Sequence, residues 1–171
     1  TVMTLALLEG GARVAVVDKQ EQRCQTMAQH AAGIVDKESL ITLTADITEA
    51  KDCQEVVNKV LDGFGRVDAL VNAAGIGMQT VRANYISEPV RFWEVELDPW
   101  QAVMDVNWKG AFLMARVVTP FLVKQGSGRI VNVTTSLDTM FRGAYTPYGM
   151  SKAALEAATA SAANSREWSI P

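Results

Sequence analysis

Apolar and polar positions fall along the chain in blocks whose period switches between that of a helix and that of a buried strand. Val2, Met3, Leu5, Ala6 and Leu8 predict an amphipathic helix with no N-cap signal ahead of it, stopped by Gly10-Gly11. The unbroken run Arg13-Val14-Ala15-Val16-Val17, ending in Asp18, predicts a strand buried on both faces. Helical periodicity returns over about 20–32, a strand over about 40–44, a helix over about 50–63, and a strand over 68–71. A long polar and aromatic stretch follows, from Ile76 through Glu96, of the kind that forms binding loops or lids. The next helix is predicted to start with Asp98 as N-cap and Pro99 in the first helical position. It continues through Trp100, Val103, Met104, Asn107, Phe112, Leu113 and Ala115 towards Val123, with a kink at Pro120. A strand over 129–133 and a last helix entered through Thr146-Pro147-Tyr148 complete the chain. This alternation predicts an α/β fold, a doubly wound parallel sheet with right-handed crossovers, whose ligands bind at the carboxyl ends of the strands.

Length and composition narrow the class. The 171 residues lie in the single-domain range, and 1–171 is read as one domain, 49% apolar and 20% charged. A net charge of −3 without a basic run argues against nucleic acid or an anionic membrane surface as partner. Lys109 and Arg116 interrupt the longest apolar helix, so no membrane span is expected, and no signal peptide is visible. Cys24 and Cys53 fall in helical segments without metal-ligand spacing, and His30 stands alone. The expectation is a cytoplasmic protein with two reduced cysteines and no metal.

The candidate chemistry begins at Tyr148-Gly149-Met150-Ser151-Lys152. Four residues of helix rise about 6 Å and keep i and i+4 on one face, so a phenol and an ammonium face the same space. Moving a tyrosine from its usual value near ~10 to ~7 needs about 4 kcal/mol of preference for phenolate. One ammonium about 4 Å away at an effective dielectric of ~20 supplies roughly that much. The pair is therefore sufficient for general acid/base work near neutrality. The strand ends carry Asp18, then Asp46-Ile47, then Asn72-Ala73-Ala74-Gly75, then Thr134-Thr135-Ser136. Asp18 would accept hydrogen bonds from an adenosine ribose and repel a 2′-phosphate, favouring NAD, whereas Lys19 beside it could welcome that phosphate and NADP. The small residues from Asn72 to Gly75 let a flat ligand approach the backbone. Asn107, on or near an apolar stripe, must find hydrogen-bond partners. Each has a bland alternative: a solvated carboxylate, a tight turn, a structural amide.

Together these motifs resemble the short-chain dehydrogenase/reductase family in its single-domain form. The matching elements, in order, are Asp18, Asp46, Asn72-Ala73-Ala74-Gly75, Asn107-Trp108-Lys109-Gly110, Gly128-Arg129-Ile130-Val131-Asn132-Val133 before the hydroxyl cluster, and Tyr148 to Lys152. The resemblance implies a Rossmann-like fold, NAD or NADP as cofactor, and a catalytic tetrad of Asn107, Ser136, Tyr148 and Lys152. Tyr148 would exchange a proton with the substrate oxygen, Lys152 would favour its ionised form and hold the nicotinamide ribose, and Asn107 would position a water leading to solvent. The family's spacing places the carbonyl-polarising hydroxyl at Thr135; Ser136, one residue later, is preferred because serine is the family residue. Cofactor contacts are expected from Asp18, Asp46, Ile47, Asn72, Ala73, Ala74, Gly75, Tyr148 and Lys152.

The family's glycine-rich phosphate loop is absent, and its alignment would put that loop and the first strand upstream of Thr1. Past Asn164 to Trp168 the chain stops at Pro171, where the family continues into further strands. The expectation is an incomplete sheet, an internal segment of a longer protein that alone would bind no dinucleotide and fold poorly. The function expected of the whole is hydride transfer between NAD(P) and a secondary alcohol or ketone. The alternatives are a catalytically silent dinucleotide-binding or redox-sensing module, and an epimerase or dehydratase sharing Tyr-x3-Lys. Met78, Gln79, Leu137, Met140, Phe141 and Tyr145, with few charges, suggest an uncharged small-molecule substrate. The resemblance also suggests a homo-oligomer, a tetramer or dimer, joined through the helices starting near Asp98 and Tyr148.

Overall fold

The computed structural model describes residues 2–164; the expected continuation from Asn164 to Trp168 and Pro171 lies almost wholly outside the described residues. The chain forms two compact units, Thr1–Val67 and Asp68–Pro171.

The first unit is built on helix α1 (Val2–Glu9), strand β1 (Val14–Asp18), helix α2 (Glu21–Ala31), strand β2 (Leu40–Thr44) and helix α3 (Ala50–Phe64). The strands pair in parallel, Val14 opposite Leu40 through Asp18 opposite Thr44. Leu8, Met27 and Ala31 form a buried cluster, against which Leu5, Val14, Val16, Val35 and Leu40 pack. Gly65, at φ 76°, ends α3 and returns its N–H to Leu61 at 2.7 Å, the left-handed stop that glycine provides. Arg13 donates to the Phe64 carbonyl at 2.8 Å and covers that ring at 5.0 Å, tying the start of β1 to the end of α3. Cys24 and Cys53 are free and buried, donating to the carbonyls of Leu43 and Ile47.

The second unit pairs strand β3 (Ala69–Asn72) in parallel with strand β4 (Arg129–Asn132). Helices α4 (Leu97–Met104) and α5 (Ala111–Gln125) are joined by a π-helical turn, Asp105–Gly110; a short helix α6 (Leu137–Met140) and α7 (Tyr148–Ala163) follow. Gly126, at φ 68°, closes α5. Helix α7 begins so close to α6 that a Cβ on Gly149 would run into the Met140 carbonyl oxygen.

Several sequence expectations need correction. Helix α1 is not amphipathic: Leu8 is its one buried residue. Strand β1 is half-buried along its whole length rather than buried on both faces, because among the described residues it pairs only with β2. Helix α4 starts at Leu97 with Glu96 as its cap, not at Asp98; Pro99 then occupies the third position, still among the N–H groups without intrahelical acceptors. The long helix runs through Pro120 inside α5, and it also contains a π turn, Asp105–Gly110, that was not anticipated. The stretch over 76–96 holds two short 3-10 turns, Met78–Thr80 and Phe92–Glu94. Helix α6 was not anticipated.

Candidate active site

Tyr148 opens α7 and Lys152 lies one turn on, with the ammonium 5.9 Å from the Tyr148 ring centre. Lys152 is only 5% exposed, and its Nζ donates to the Val133 carbonyl, just past β4, at 2.7 Å. Among the described residues no carboxylate comes within ion-pair distance of it. Burial alone pushes its pKa down from the ordinary lysine value. An ammonium has three N–H donors, so a side chain with one carbonyl partner keeps two for a ligand.

Asn107 sits inside the π turn with 1% exposure. Its Oδ1 accepts from Ile76 N at 2.8 Å, and its Nδ2 donates to Ile76 O at 2.9 Å and Ser151 Oγ at 3.0 Å. The amide thereby fixes the loop after β3 against the first turn of α7. With both side-chain N–H groups engaged, a relay water would meet this residue at an oxygen acceptor, that of its side chain or of its backbone. Gly75 lies in that loop, where a Cβ would stand 3.2 Å from Asn107 Oδ1 and 3.8 Å from Lys152 Nζ. The absent side chain keeps open the space beside the buried ammonium.

These groups border a cavity of about 400 Å³. Ala73, Gly75, Ile76 and Gly77 contribute to its wall, with Tyr148 and Lys152 from α7 and the hydroxyls of Thr134 and Thr139. Of the predicted substrate lining, Met78, Gln79 and Tyr145 are present; Leu137 and Phe141 are 61% and 78% exposed and line no part of it, and Met140 is buried elsewhere. Tyr85 was missed, and nothing in the local sequence would have singled it out. Neither Thr135 nor Ser136 lines the cavity. Ser136 caps α6 instead, its Oγ accepting from Thr139 N at 3.3 Å and lying 3.1 Å from Thr139 Oγ1. Asn72 spends its amide on the sheet, donating to Asn132 Oδ1 at 2.8 Å and to Ala111 O at 3.2 Å. Ala74 lies between Ala73 and Gly75 in the same loop but is not part of the lining.

The other predicted cofactor residues belong to the first unit. Asp18 ends β1; its Oδ1 accepts from Gln20 N at 2.9 Å and its Oδ2 lies 3.6 Å from Arg23. Asp46 follows β2 and is paired with Lys19, with Oδ1 accepting from the Thr48 N and Oγ1 at 3.0 and 2.7 Å. The Lys19 hydrogen bond is the main cause that holds the Asp46 carboxyl down to about 2; burial opposes it, and hydrogen bonds from Thr48 add to the lowering. Ile47 offers its carbonyl to Cys53. Among the described residues no His, Cys, Asp and Glu cluster could hold a metal ion, and no helix is long and apolar enough to cross a membrane.

A family model described as short chain dehydrogenase matches residues 1–168. The chain is 33% identical over 150 residues to the 3-oxoacyl-(acyl-carrier-protein) reductase FabG of Thermotoga maritima, covering 88% of this chain and 56% of that protein. It is 32% identical over 149 residues to a 3-oxoacyl-(acyl-carrier-protein) reductase of Synechocystis, covering 87% and 56% respectively. Among solved structures, NAD+-bound xylitol dehydrogenase matches with a TM-score of 0.80 at 25% identity, over 93% of this chain and 57% of that one. A metagenomic short-chain oxidoreductase in complex with NADP matches in fold with a TM-score of 0.80 at 22% identity, over 93% and 67%. The chain thus spans a little over half the length of these curated relatives.

Proposed function

This chain belongs to the short-chain dehydrogenase family, and from that premise we propose that the whole protein is an oxidoreductase moving a hydride between NAD(P) and a secondary alcohol or ketone. The observation that carries it is the buried, carboxylate-free Lys152 beside Tyr148 at the edge of a cavity kept open by Gly75. A structural lysine at 5% exposure would be expected to pair with an anion; this one faces an open space instead.

A bound nicotinamide dinucleotide supplies or accepts the hydride. In the second unit, Ala73, Ala74 and Gly75 offer backbone for close approach, and the spare Lys152 donors suit ribose hydroxyls. In the first unit, Asp18, Asp46 and Ile47 are the residues assigned to the cofactor, and 1–171 acts as part of one dinucleotide-binding domain. Tyr148 exchanges a proton with the substrate oxygen, with Lys152 one helical turn away beside its ring. Asn107 positions this pair through Ile76 and Ser151. The hydroxyl that polarises the carbonyl comes from the segment holding Thr134, Thr135, Ser136 and Thr139; Ser136 remains the assigned donor, with Thr135 as its alternative. NAD is the preferred cofactor, because Lys19 is already engaged by Asp46 and does not offset the charge of Asp18. The free thiols Cys24 and Cys53 suit a reducing compartment, the cytoplasm. A homo-oligomer, dimer or tetramer, would cover exposed apolar residues on the helices such as Leu97, Phe112 and Met150.

The test is Tyr148→Phe in the full-length protein. Turnover of alcohols or ketones should fall by about a thousandfold or more, the loss of an essential acid/base group, while NADH affinity stays within a few fold. Retained turnover would remove Tyr148 from the mechanism.

A further inference from the structure

Two further phenols border the cavity, and a cation stands against them that none of the roles above uses. Tyr85 and Tyr145 both line the cavity, their rings edge to face with centres 5.8 Å apart, and Tyr145 meets Tyr148 edge to face at 6.4 Å. A hydrogen bond to Tyr145 is the main cause that pushes the Tyr85 phenol above its ordinary value. Arg142, exposed in the turn between α6 and α7, lays its guanidinium 4.8 Å from the Tyr145 ring centre. Its Nη1 also donates to the Tyr145 hydroxyl at 3.3 Å. Among the described residues no carboxylate comes within ion-pair distance of Arg142.

A guanidinium carries five N–H donors, and the phenol takes one of them. Stacking on the ring holds the fork against Tyr145, a lining residue of the cavity, and lessens the entropy lost when it next forms hydrogen bonds. The guanidinium keeps its remaining donors, and among the described residues no carboxylate meets them. A planar carboxylate matches such a fork and gains charge-assisted hydrogen bonds from it.

We propose that Arg142, held against the cavity-lining Tyr145, reads an anion beside the substrate cavity together with the Tyr145 hydroxyl, and that the substrate is a small alcohol or ketone bearing a carboxylate. This rests on the dehydrogenase function proposed above and replaces the uncharged substrate expected from the sequence. That expectation drew on Leu137, Met140 and Phe141, which do not line the cavity; Arg142 is outside the lining too, but its guanidinium stands against Tyr145, which is part of it.

The experiment is steady-state kinetics of the full-length protein with NADH on a panel of 2-, 3- and 4-oxo acids, each paired with its neutral methyl ester. At least one acid should exceed its ester about tenfold or more in kcat/KM, and Arg142→Met should bring that ratio close to one. Arg142→Lys should recover part of the preference. Equal use of acid and ester by the natural protein, or a loss in Arg142→Met that falls equally on both, overturns the assignment and leaves the dehydrogenase function standing. Calorimetric titration with butyrate and butyramide separates the two ideas should no oxo compound be reduced. Butyrate binding that weakens about tenfold in Arg142→Met while butyramide binding does not would uphold the anion site and sink the dehydrogenase function. Indifference of both ligands to the substitution would overturn the anion site.

Discussion

Lys152 concentrates the physical tension of the molecule in one side chain. It is a cation held at 5% exposure with a single carbonyl partner, and burial pushes its pKa down. Between that lowered value and the ordinary one the unfolded chain binds more protons than the folded chain, so this group makes stability rise with pH across the window. Below the lowered value both states are protonated and the full cost of burying the charge remains. Comparing urea midpoints of the full-length protein and Lys152→Met from about pH 7 to 10.5 should show the difference shifting in favour of lysine as pH rises. Parallel curves would mean that the ammonium is better solvated than its burial implies. The Tyr148 and Lys152 pair was legible in the sequence because helix geometry alone puts i and i+4 on one face. Tyr85 and Arg142 were not, since what recruits them is contact with Tyr145 across a loop, and no local period encodes that.

At the scale of elements, the π turn Asp105–Gly110 separates what the sequence implies from what only packing decides. Apolar spacing predicted one long helix with a kink at Pro120 and gave no sign of a π turn; the extra width appears where Asn107 reaches Ile76, 31 residues earlier in the chain. Such turns recur at functional sites because they redirect one side chain without ending the helix. Strand β2 and helices α2 and α3 matched expectation to within a residue or two, since alternation and glycine stops are local signals. Asn107→Ala would leave the Ile76 N–H and C=O without their partners and remove the donor to Ser151. At about 1–3 kcal/mol for each stranded group, partly relieved by water, the expected loss is roughly 2–4 kcal/mol. Denaturant unfolding would measure it, and amide exchange at Ile76 should accelerate in the same variant. A loss below about 1 kcal/mol, with Ile76 still protected, would show that the loop after β3 holds itself in place.

For the whole molecule, the alternation of strands and helices was enough to foresee parallel pairing, while the half-burial of β1 follows from a sheet of two strands and is invisible in its apolar run. Cofactor choice is where the first unit speaks for the entire protein. Two carboxylates at its strand ends each meet a cation, Asp46 with Lys19 and Asp18 with Arg23 of α2. The two pairs differ: Lys19 is hydrogen-bonded to a carboxyl held down to about 2, whereas Arg23 stands 3.6 Å from Asp18, beyond hydrogen-bond distance. Arg23 is thus the cation more easily released. In a fluorescence titration of the full-length protein, NADH should bind about tenfold more tightly than NADPH, because a 2′-phosphate would meet the Asp18 charge. Asp18→Asn removes that charge and frees Arg23, so NADPH affinity should rise to match or exceed that of NADH. Adding Arg23→Ala should cancel most of the gain, a coupling that a double-mutant cycle reads directly. Tighter NADPH binding by the natural protein would instead mean that Lys19 leaves Asp46 for the phosphate, and the ion pair at the end of β2 would then be a resting arrangement rather than part of the selectivity.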